Sequence, residues 1–220
     1  VMVALAELDG LLPDSMMLEG RLEADLKLGG VGANFSAKGP LRSNVILERH
    51  KTRKRKTELS DLAATLVLTK SGFSLEDGQT PWCDGVLDVA FSTGFSGQDA
   101  KLRLAGKRVS LESVLREDVG FPHPWVGMEA DYLLDLTGSL QPLDLSGDFR
   151  VRGDELVVVN RGLHSTNRPV LELETGEVGG KFHLDTTGYR IQSDTVELPN
   201  SHGSLSLFLA HGLFPKFDLS

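Results

Sequence analysis

The sequence predicts an all-β protein, an antiparallel meander of strands with one short helix near residues 110–117. Three observations support this fold class. Apolar and polar residues alternate along most of the chain, as they do where side chains point alternately to the two faces of a strand. Glycine, Asp-Gly or proline separates the alternating runs at intervals of roughly 8–12 residues, which is typical of a meander. Helical patterning is confined to one place.

Each element follows from its local pattern. The first clear strand is the run RLEADLKL at 21–28, where leucine and alanine share one face and charged residues the other. The helix is predicted at 110–117, because Ser110 is a good N-cap and a short amphipathic turn follows it. Further alternating runs lie at 61–68, 101–105, 171–174, 181–185 and 204–209.

The stretch from Leu134 to Gly147 contains almost the same phrase twice. Leu-Asp-Leu-Thr-Gly at 134–138 returns as Leu-Asp-Leu-Ser-Gly at 143–147. Pro142 marks a connection between the phrases, so they are predicted to form adjacent strands, with each glycine where a strand ends or bends. A unit this short does not bury its own apolar face. Neighbouring units must therefore share one continuous apolar surface.

Composition bounds the function. The chain has 220 residues, 31 Asp and Glu against 23 Lys and Arg, and a formal net charge of −8. Nucleic-acid binding is not expected, because neutralising phosphates requires a positive field. Cys83 is the single cysteine, so neither an intramolecular disulfide nor a cysteine-based zinc site is expected.

No catalytic or metal-binding motif emerges. Cys83 has no base placed near it by the sequence, and no Gly-x-Ser-x-Gly elbow occurs. Strand patterning follows the glycine-rich stretch 29–32, where a phosphate loop would lead into a helix. We therefore expect a protein that is not an enzyme and uses no metal or other cofactor. The histidines share no ligand-like spacing with one another or with Cys83; they are His50, His123, His164, His183, His202 and His211.

The two ends of the chain fall within alternating patterns, and no apolar run approaches the roughly 18 residues of a membrane-spanning helix. We expect residues 1–220 to be a single repetitive segment from the interior of a larger protein, whose targeting segment and membrane anchor lie outside it. Composition leaves two forms of the sheet open. Its 37 Leu against 10 Phe, 2 Trp and 2 Tyr slightly favour a smooth sheet curled along its length over a closed sandwich or barrel.

Three stretches resemble the AsmA and TamB proteins, bacterial members of the bridge-like lipid-transfer group. They are AKLRLAGKRVSLESVL at 100–115, DLTGSLQPLDLSGDFRVRGDELVVVN at 135–160 and SHGSLSLFLAHG at 201–212. The resemblance implies an elongated, curled antiparallel sheet that forms an open, β-taco-like groove, apolar inside and charged outside. It also implies that phospholipid or fatty acid moves through the groove between the inner and outer membranes of a Gram-negative envelope. The parent protein would be anchored in the inner membrane and lie in the periplasm.

That family offers no catalytic residues to carry over. The groove is expected to be lined by the apolar members of the strict strands, and a charge at Leu145 is expected to stop lipid movement while the fold survives. The face of each residue is inferred from alternation alone, and a β-bulge would reverse it downstream. The predicted lining residues are Leu22, Leu26, Leu66, Leu68, Leu102, Leu104, Leu134, Leu136, Leu143, Leu145, Leu171, Leu173, Leu205 and Leu207.

Two points stay open from the sequence. A closed β scaffold, or an outer-membrane protein assembly or adhesion module acting through protein partners, is the alternative to the lipid groove. The basic stretch 49–56 is interpreted first as a solvated hairpin loop or a guard on a strand edge. One alternative is contact with anionic headgroups through Arg49, Lys51, Arg53, Lys54, Arg55 and Lys56. A less favoured alternative is a nuclear signal or nucleic-acid contact, which the acidic character of the rest of the chain opposes.

Overall fold

The computed structural model describes residues 2–4, 16–30, 35–49, 55–114, 116, 126–159, 169–198, 201–210 and 216–219. Nearly all of them lie in β-strands. The one helix of the described residues, α1, spans Leu111–Val114. The strands are β1 Met2–Ala4, β2 Met16–Ala24, β3 Lys27–Gly29, β4 Ser36–Arg49, β5 Arg55–Thr69, β6 Gly72–Trp82, β7 Gly85–Gly94, β8 Ala100–Ser110, β9 Val126–Leu140, β10 Leu143–Val159, β11 Pro169–Asp185, β12 Gly188–Leu198, β13 Ser201–Ala210 and β14 Lys216–Leu219.

These strands form one antiparallel meander. Each pairs with the next strand of the chain, except that β2 and β3 both pair with β4. Across the described residues all fourteen strands belong to a single sheet, which does not close on itself. The predicted all-β, open antiparallel fold is confirmed. The predicted short helix is confirmed as well, and the Ser110 hydroxyl caps it by accepting a hydrogen bond from the backbone N–H of Ser113 at 3.2 Å.

The repeated phrase forms the hairpin β9–β10, and its glycines have a definite role. Leu136 pairs with Gly147, and Gly138 pairs with Leu145, so the glycine of each phrase faces the second leucine of the other. A Cβ on Gly147 would lie 1.8 Å from the carbonyl oxygen of Asp135. At Gly138 the clash would be with the equivalent aspartate of the other phrase, at 2.0 Å. The two strands therefore approach more closely than any side chain would permit.

Bulges interrupt the register of several strands. Asp77 in β6, Arg108 in β8 and Glu155 in β10 have φ of 52°, 52° and 54°, and the pairing shifts beside each of them. A bulge bends its strand and increases the local twist, which curls the sheet. A bulge also reverses the face to which each of the following residues of the strand points. Val109 therefore lies on the same face as the even-numbered leucines that precede it in β8.

Asp185 organises the turn between β11 and β12. The Thr187 hydroxyl donates to its Oδ1 at 2.5 Å, and the backbone N–H groups of Thr187 and Gly188 donate to the same oxygen at 2.6 and 3.1 Å. These hydrogen bonds, the Thr187 hydroxyl first, lower the pKa of Asp185 from 3.8 to about 2 against the opposing effect of burial. A further hydrogen bond from the His183 ring acts in the same direction.

This carboxyl makes part of the stability depend on acid pH. Because its pKa is lower in the folded state, its contribution is complete above about pH 4 and is lost as the pH falls toward 2. We expect the unfolding free energy of the wild-type protein to fall through this window more steeply than that of Asp185→Asn, which cannot titrate. Urea unfolding at a series of pH values measures both slopes. Equal slopes would contradict the role assigned to Asp185.

Candidate functional site

One face of the sheet carries a continuous apolar row. Directly opposed residues of neighbouring strands point to the same face, so the registers can be followed from strand to strand. The face defined in this way is called the inner face. Its central row crosses the eleven strands β4 to β14 and has a length of about 48 Å at the usual strand spacing. The row runs Gly39, Leu66, Leu75, Phe91, Leu102, Leu136, Gly147, Phe182, Ile191, Leu207 and Phe217.

The registers bring most of the predicted lining residues together on this face. Rows on either side of the central one contain Leu104, Leu134 and Leu205, and Leu145 opposite Leu184. Others join the face through their own partners: Leu143 pairs with Leu140, Leu68 with Ala37 and Phe73, and Leu22 with Ser43. Leu26 lies close to Gly39, since a Cβ on that glycine would be 3.1 Å from the Leu26 Cα.

Two predicted residues lie apart from these rows. Leu173 pairs with Leu156, and Leu171 with Val158, beyond the irregularity at Glu155. They are not brought opposite the leucines of the central row. The side chains of Leu171, Leu173, Leu205 and Leu207 lie outside the described part of the structure, so only their strand registers are given.

The inner face is deeply covered at some positions and only half-covered at others. Ala100, Leu136 and Leu145 form a buried cluster with 1–3% of their surface exposed. Leu66 and Leu102, in the same central row as Leu136, are only half-buried. Apolar side chains on a sheet are normally covered by a second layer. Leu66 and Leu102 therefore keep part of their apolar surface exposed on the inner face.

Polar groups on this face are already satisfied. Ser43, Thr80 and Ser193 are buried, and each donates its hydroxyl hydrogen to a backbone carbonyl of a neighbouring strand, at 2.9, 2.7 and 3.0 Å. Thr93, also buried, donates to the carbonyl of Gly94 at 3.2 Å. The strand pairing is irregular near Ser43, Thr80 and Ser193, and their hydroxyls bond backbone carbonyls at these irregularities. An apolar ligand would therefore meet no free hydroxyl at these four positions.

Sequence reasoning missed the aromatic component of the site. The rings of Phe73 and Phe91 have centroids 5.7 Å apart, and those of Phe182 and Tyr189 are stacked at 6.0 Å. All four residues lie on the inner face by register. The signal was present, because Phe73, Phe91 and Phe182 each stand two positions from an apolar residue of the same strand.

The opposite face of the sheet, called the outer face, carries charged side chains that form ion pairs. Lys107 Nζ lies 2.9 Å from Asp88 Oδ2, and Lys38 Nζ lies 3.1 Å from Glu76 Oε2. Such exposed pairs contribute little to stability, but they make this face unsuited to apolar ligands. A 580 Å³ cavity near Leu62 is a different feature. Its lining has charges of both signs and is not part of the apolar rows; it consists of Arg21, Glu23, Arg42, Ser43, Asn44, Asp61, Leu62 and Ala63.

The basic stretch lies where β4 connects to β5. Arg49 pairs with Arg55, and Glu48 pairs with Lys56. These registers place the stretch at one end of a hairpin, consistent with its interpretation as a hairpin connection. Residues 50–54, and with them Lys51, Arg53 and Lys54, lie outside the described residues. Contact with anionic headgroups stays a prediction.

The histidine, cysteine and carboxylate side chains of the described residues form no candidate metal centre. No group of three His, Cys, Asp or Glu side chains is placed there to hold a metal ion. Cys83 is buried in the turn after β6. His183 lies on the outer face between Asp144 and Asp185, with ring nitrogens 3.7 and 3.2 Å from their carboxylates. Within the described ranges no helix is long and apolar enough to cross a membrane.

Comparison with known proteins leaves the site to be judged on its own geometry. No family model matches the chain, and neither the curated proteins nor the solved structures contain a significant match.

Proposed function

We propose that the inner face is a groove that holds the acyl chains of phospholipid or fatty acid and conducts them between the inner and outer membranes. The observation that carries this proposal is the central apolar row, which runs without a charged residue through eleven strands. Each CH₂ group kept from water is worth roughly 0.8 kcal/mol. A row of this length lets an acyl chain move from strand to strand without meeting solvent.

The chemistry of the face suits movement better than tight storage. A small number of fixed polar contacts would hold a ligand at one position. Here the buried hydroxyls of Ser43, Thr80 and Ser193 already donate hydrogen bonds to backbone carbonyls. The remaining side chains along the row are apolar, so no fixed polar contact of this kind would hold the ligand at one position. The polar headgroup would travel along the open side of the groove.

The cellular setting follows from the same proposal. A conduit between two membranes belongs in the periplasm of a Gram-negative bacterium, in a parent protein anchored in the inner membrane, with an outer-membrane protein as a possible partner. The basic stretch 49–56 would then contact anionic headgroups at the edge of the groove. Resemblance to the AsmA and TamB proteins supports this setting.

Mass spectrometry of an organic extract tests the proposal. The protein is purified without detergent, and its bound phospholipid and fatty acid are quantified per chain. We expect an approximately stoichiometric amount of lipid, because half-buried leucines such as Leu66 and Leu102 gain from being covered. A protein of unrelated fold carried through the same purification controls for carry-over. A folded but lipid-free protein would contradict the proposal and favour a scaffold that acts through protein partners.

A further inference from the structure

The central row loses its exposed side chains on two adjacent strands. On β9 the row is occupied by Leu136, which is 1% exposed, and on β10 by Gly147, which has no side chain. Half-buried side chains flank this gap at Leu102 on β8 and Phe182 on β11. Three strand spacings, about 14 Å along the sheet, separate the two. A ligand that keeps to the row therefore finds almost no apolar side-chain surface between Leu102 and Phe182.

The gap follows from the packing of the β9–β10 hairpin. A Cβ at Gly147 would lie 1.8 Å from the carbonyl oxygen of Asp135, so no side chain fits there. Leu136 belongs to the buried cluster, against which Leu102 and Leu134 pack. A ligand could touch Leu136 only by displacing the side chains that cover it. The fold thus removes both positions from the accessible path.

The neighbouring row on one side offers no crossing. Ala100 on β8 and Leu145 on β10 are 1% and 3% exposed, as members of the same cluster. Further along, Leu140 and Leu143 are half-buried and pair with each other near the turn of the hairpin. β8 begins at Ala100 and β11 ends at Asp185, so neither strand continues beside this pair. Apolar surface on this side therefore does not reach from β8 to β11.

The neighbouring row on the other side crosses both strands. Leu134 on β9 is opposite Leu104 on β8 and opposite Phe149 on β10, and all three side chains are half-buried. On β11, Phe149 is opposite Gly180, which has no side chain to cover the ring. Phe182 lies two positions further on the same face, at a diagonal separation that an aromatic side chain can span. Leu104, Leu134 and Phe149 therefore connect the two sides of the gap with apolar surface.

We infer that an acyl chain crosses β9 and β10 on Leu134 and Phe149, so that Phe149 is a lipid-contact residue of the groove. This inference rests on the proposed function. It adds that the path leaves the central row at the hairpin by two residues, about 7 Å along the strands. Leu136 and Leu145 then support the groove without lining it. Phe149 was not among the lining residues predicted from the sequence, whereas Leu136 and Leu145 were.

Photolabelling of the full 220-residue chain tests this path. The protein is incubated with stearate that carries a diazirine on its acyl chain. Irradiation expels N₂ and leaves a carbene, which inserts into the side chains in contact with it, and mass spectrometry of the digested protein locates the label. Label is expected at Phe149 and Leu134 and not at Leu136 or Leu145. Stearate that binds but leaves Phe149 unlabelled refutes the inference and leaves the proposed function intact. Failure to bind any stearate refutes both.

A charge at Phe149 provides a second measurement. Phe149→Asp is expected to lower the label at Leu134, relative to that at Leu66, about 10-fold or more, because a chain that crosses there must desolvate the carboxylate. Leu133→Asp is the matched control. Leu133 adjoins Leu134 and is also half-buried, but it pairs with Arg150 on the outer face, so the label should stay near wild type. If Phe149→Asp does not fold, Phe149→Thr and Leu133→Thr replace the two variants. A loss of about 3- to 10-fold is then expected for Phe149→Thr alone, since it removes part of the burial of one large apolar side chain. Unchanged label at Leu134 in the folded Phe149 variant, or an equal loss in the Leu133 variant, refutes the contact.

Discussion

Leu145→Asp is expected to lower the free energy of unfolding by about 4 kcal/mol or more. Leu145 is 3% exposed and packs with Ala100 and Leu136 in the buried cluster. The substitution loses the burial of a leucine, worth about 1.5–3 kcal/mol, and desolvates a carboxyl group for which the apolar cluster offers no partner. The sequence led us to expect that the fold would survive this change. Burial of Leu145 makes it the wrong position for a purely functional test.

Urea unfolding measures the effect directly. Leu28→Asp is the matched control, because it makes the same chemical change at a surface residue that is 75% exposed. Its free energy of unfolding should stay within about 0.5 kcal/mol of wild type. A folded Leu145→Asp protein with near wild-type stability would show that the buried cluster is not as the structure describes it.

Leu66→Asp is expected to abolish or strongly reduce acyl-chain binding with a smaller loss of stability. Leu66 is half-buried in the central row, between Gly39 and Leu75. A carboxylate there interrupts the apolar surface while keeping access to water. A chain that crosses this point must desolvate the charge, which costs far more than the roughly 0.8 kcal/mol gained from each CH₂. Lipid per chain in the organic extract measures the effect.

Val67→Asp is the control for this change. Val67 is the next residue of the same strand and is also half-buried, but it pairs with Lys38 and Ser74 on the outer face. We expect it to bind as much lipid as the wild-type protein. Equal losses in the two variants would indicate a general disturbance of β5, and a loss in Val67→Asp alone would reverse the assignment of the faces.

Much of the fold was predictable because alternation is a local property. In β8 and β9, apolar residues two apart, such as Leu102 and Leu104, identify a strand with one apolar face, and the meander follows from the short connections. The Ser110 cap identified the helix. Which leucines share a face over the whole sheet was less predictable. The assignment of leucines to one face depends on bulges at residues such as Asp77 and Arg108. The sequence around these residues carries no signal that distinguishes a bulge.

The remaining features depend on contacts distant in sequence. Trp82 and Tyr132 are 50 positions apart, and no local sequence pattern predicts that their rings are in contact. The glycines of the repeated phrase were expected at strand ends or bends. Gly147 instead lies within β10, where its missing side chain admits the carbonyl of Asp135. A glycine in a strand indicates a close approach, but the partner is fixed only by the register.

The meander also decides how damage would spread. Each described strand hydrogen-bonds only with strands close to it in the chain, so stability resembles a sum over neighbouring pairs. A path along the central row, by contrast, is connected in series. Local opening of one strand pair removes only that pair's contribution to the stability. It nevertheless interrupts the whole path along the central row. Transport through such a protein would therefore fail under perturbations, such as mild heating, that leave most of its secondary structure intact.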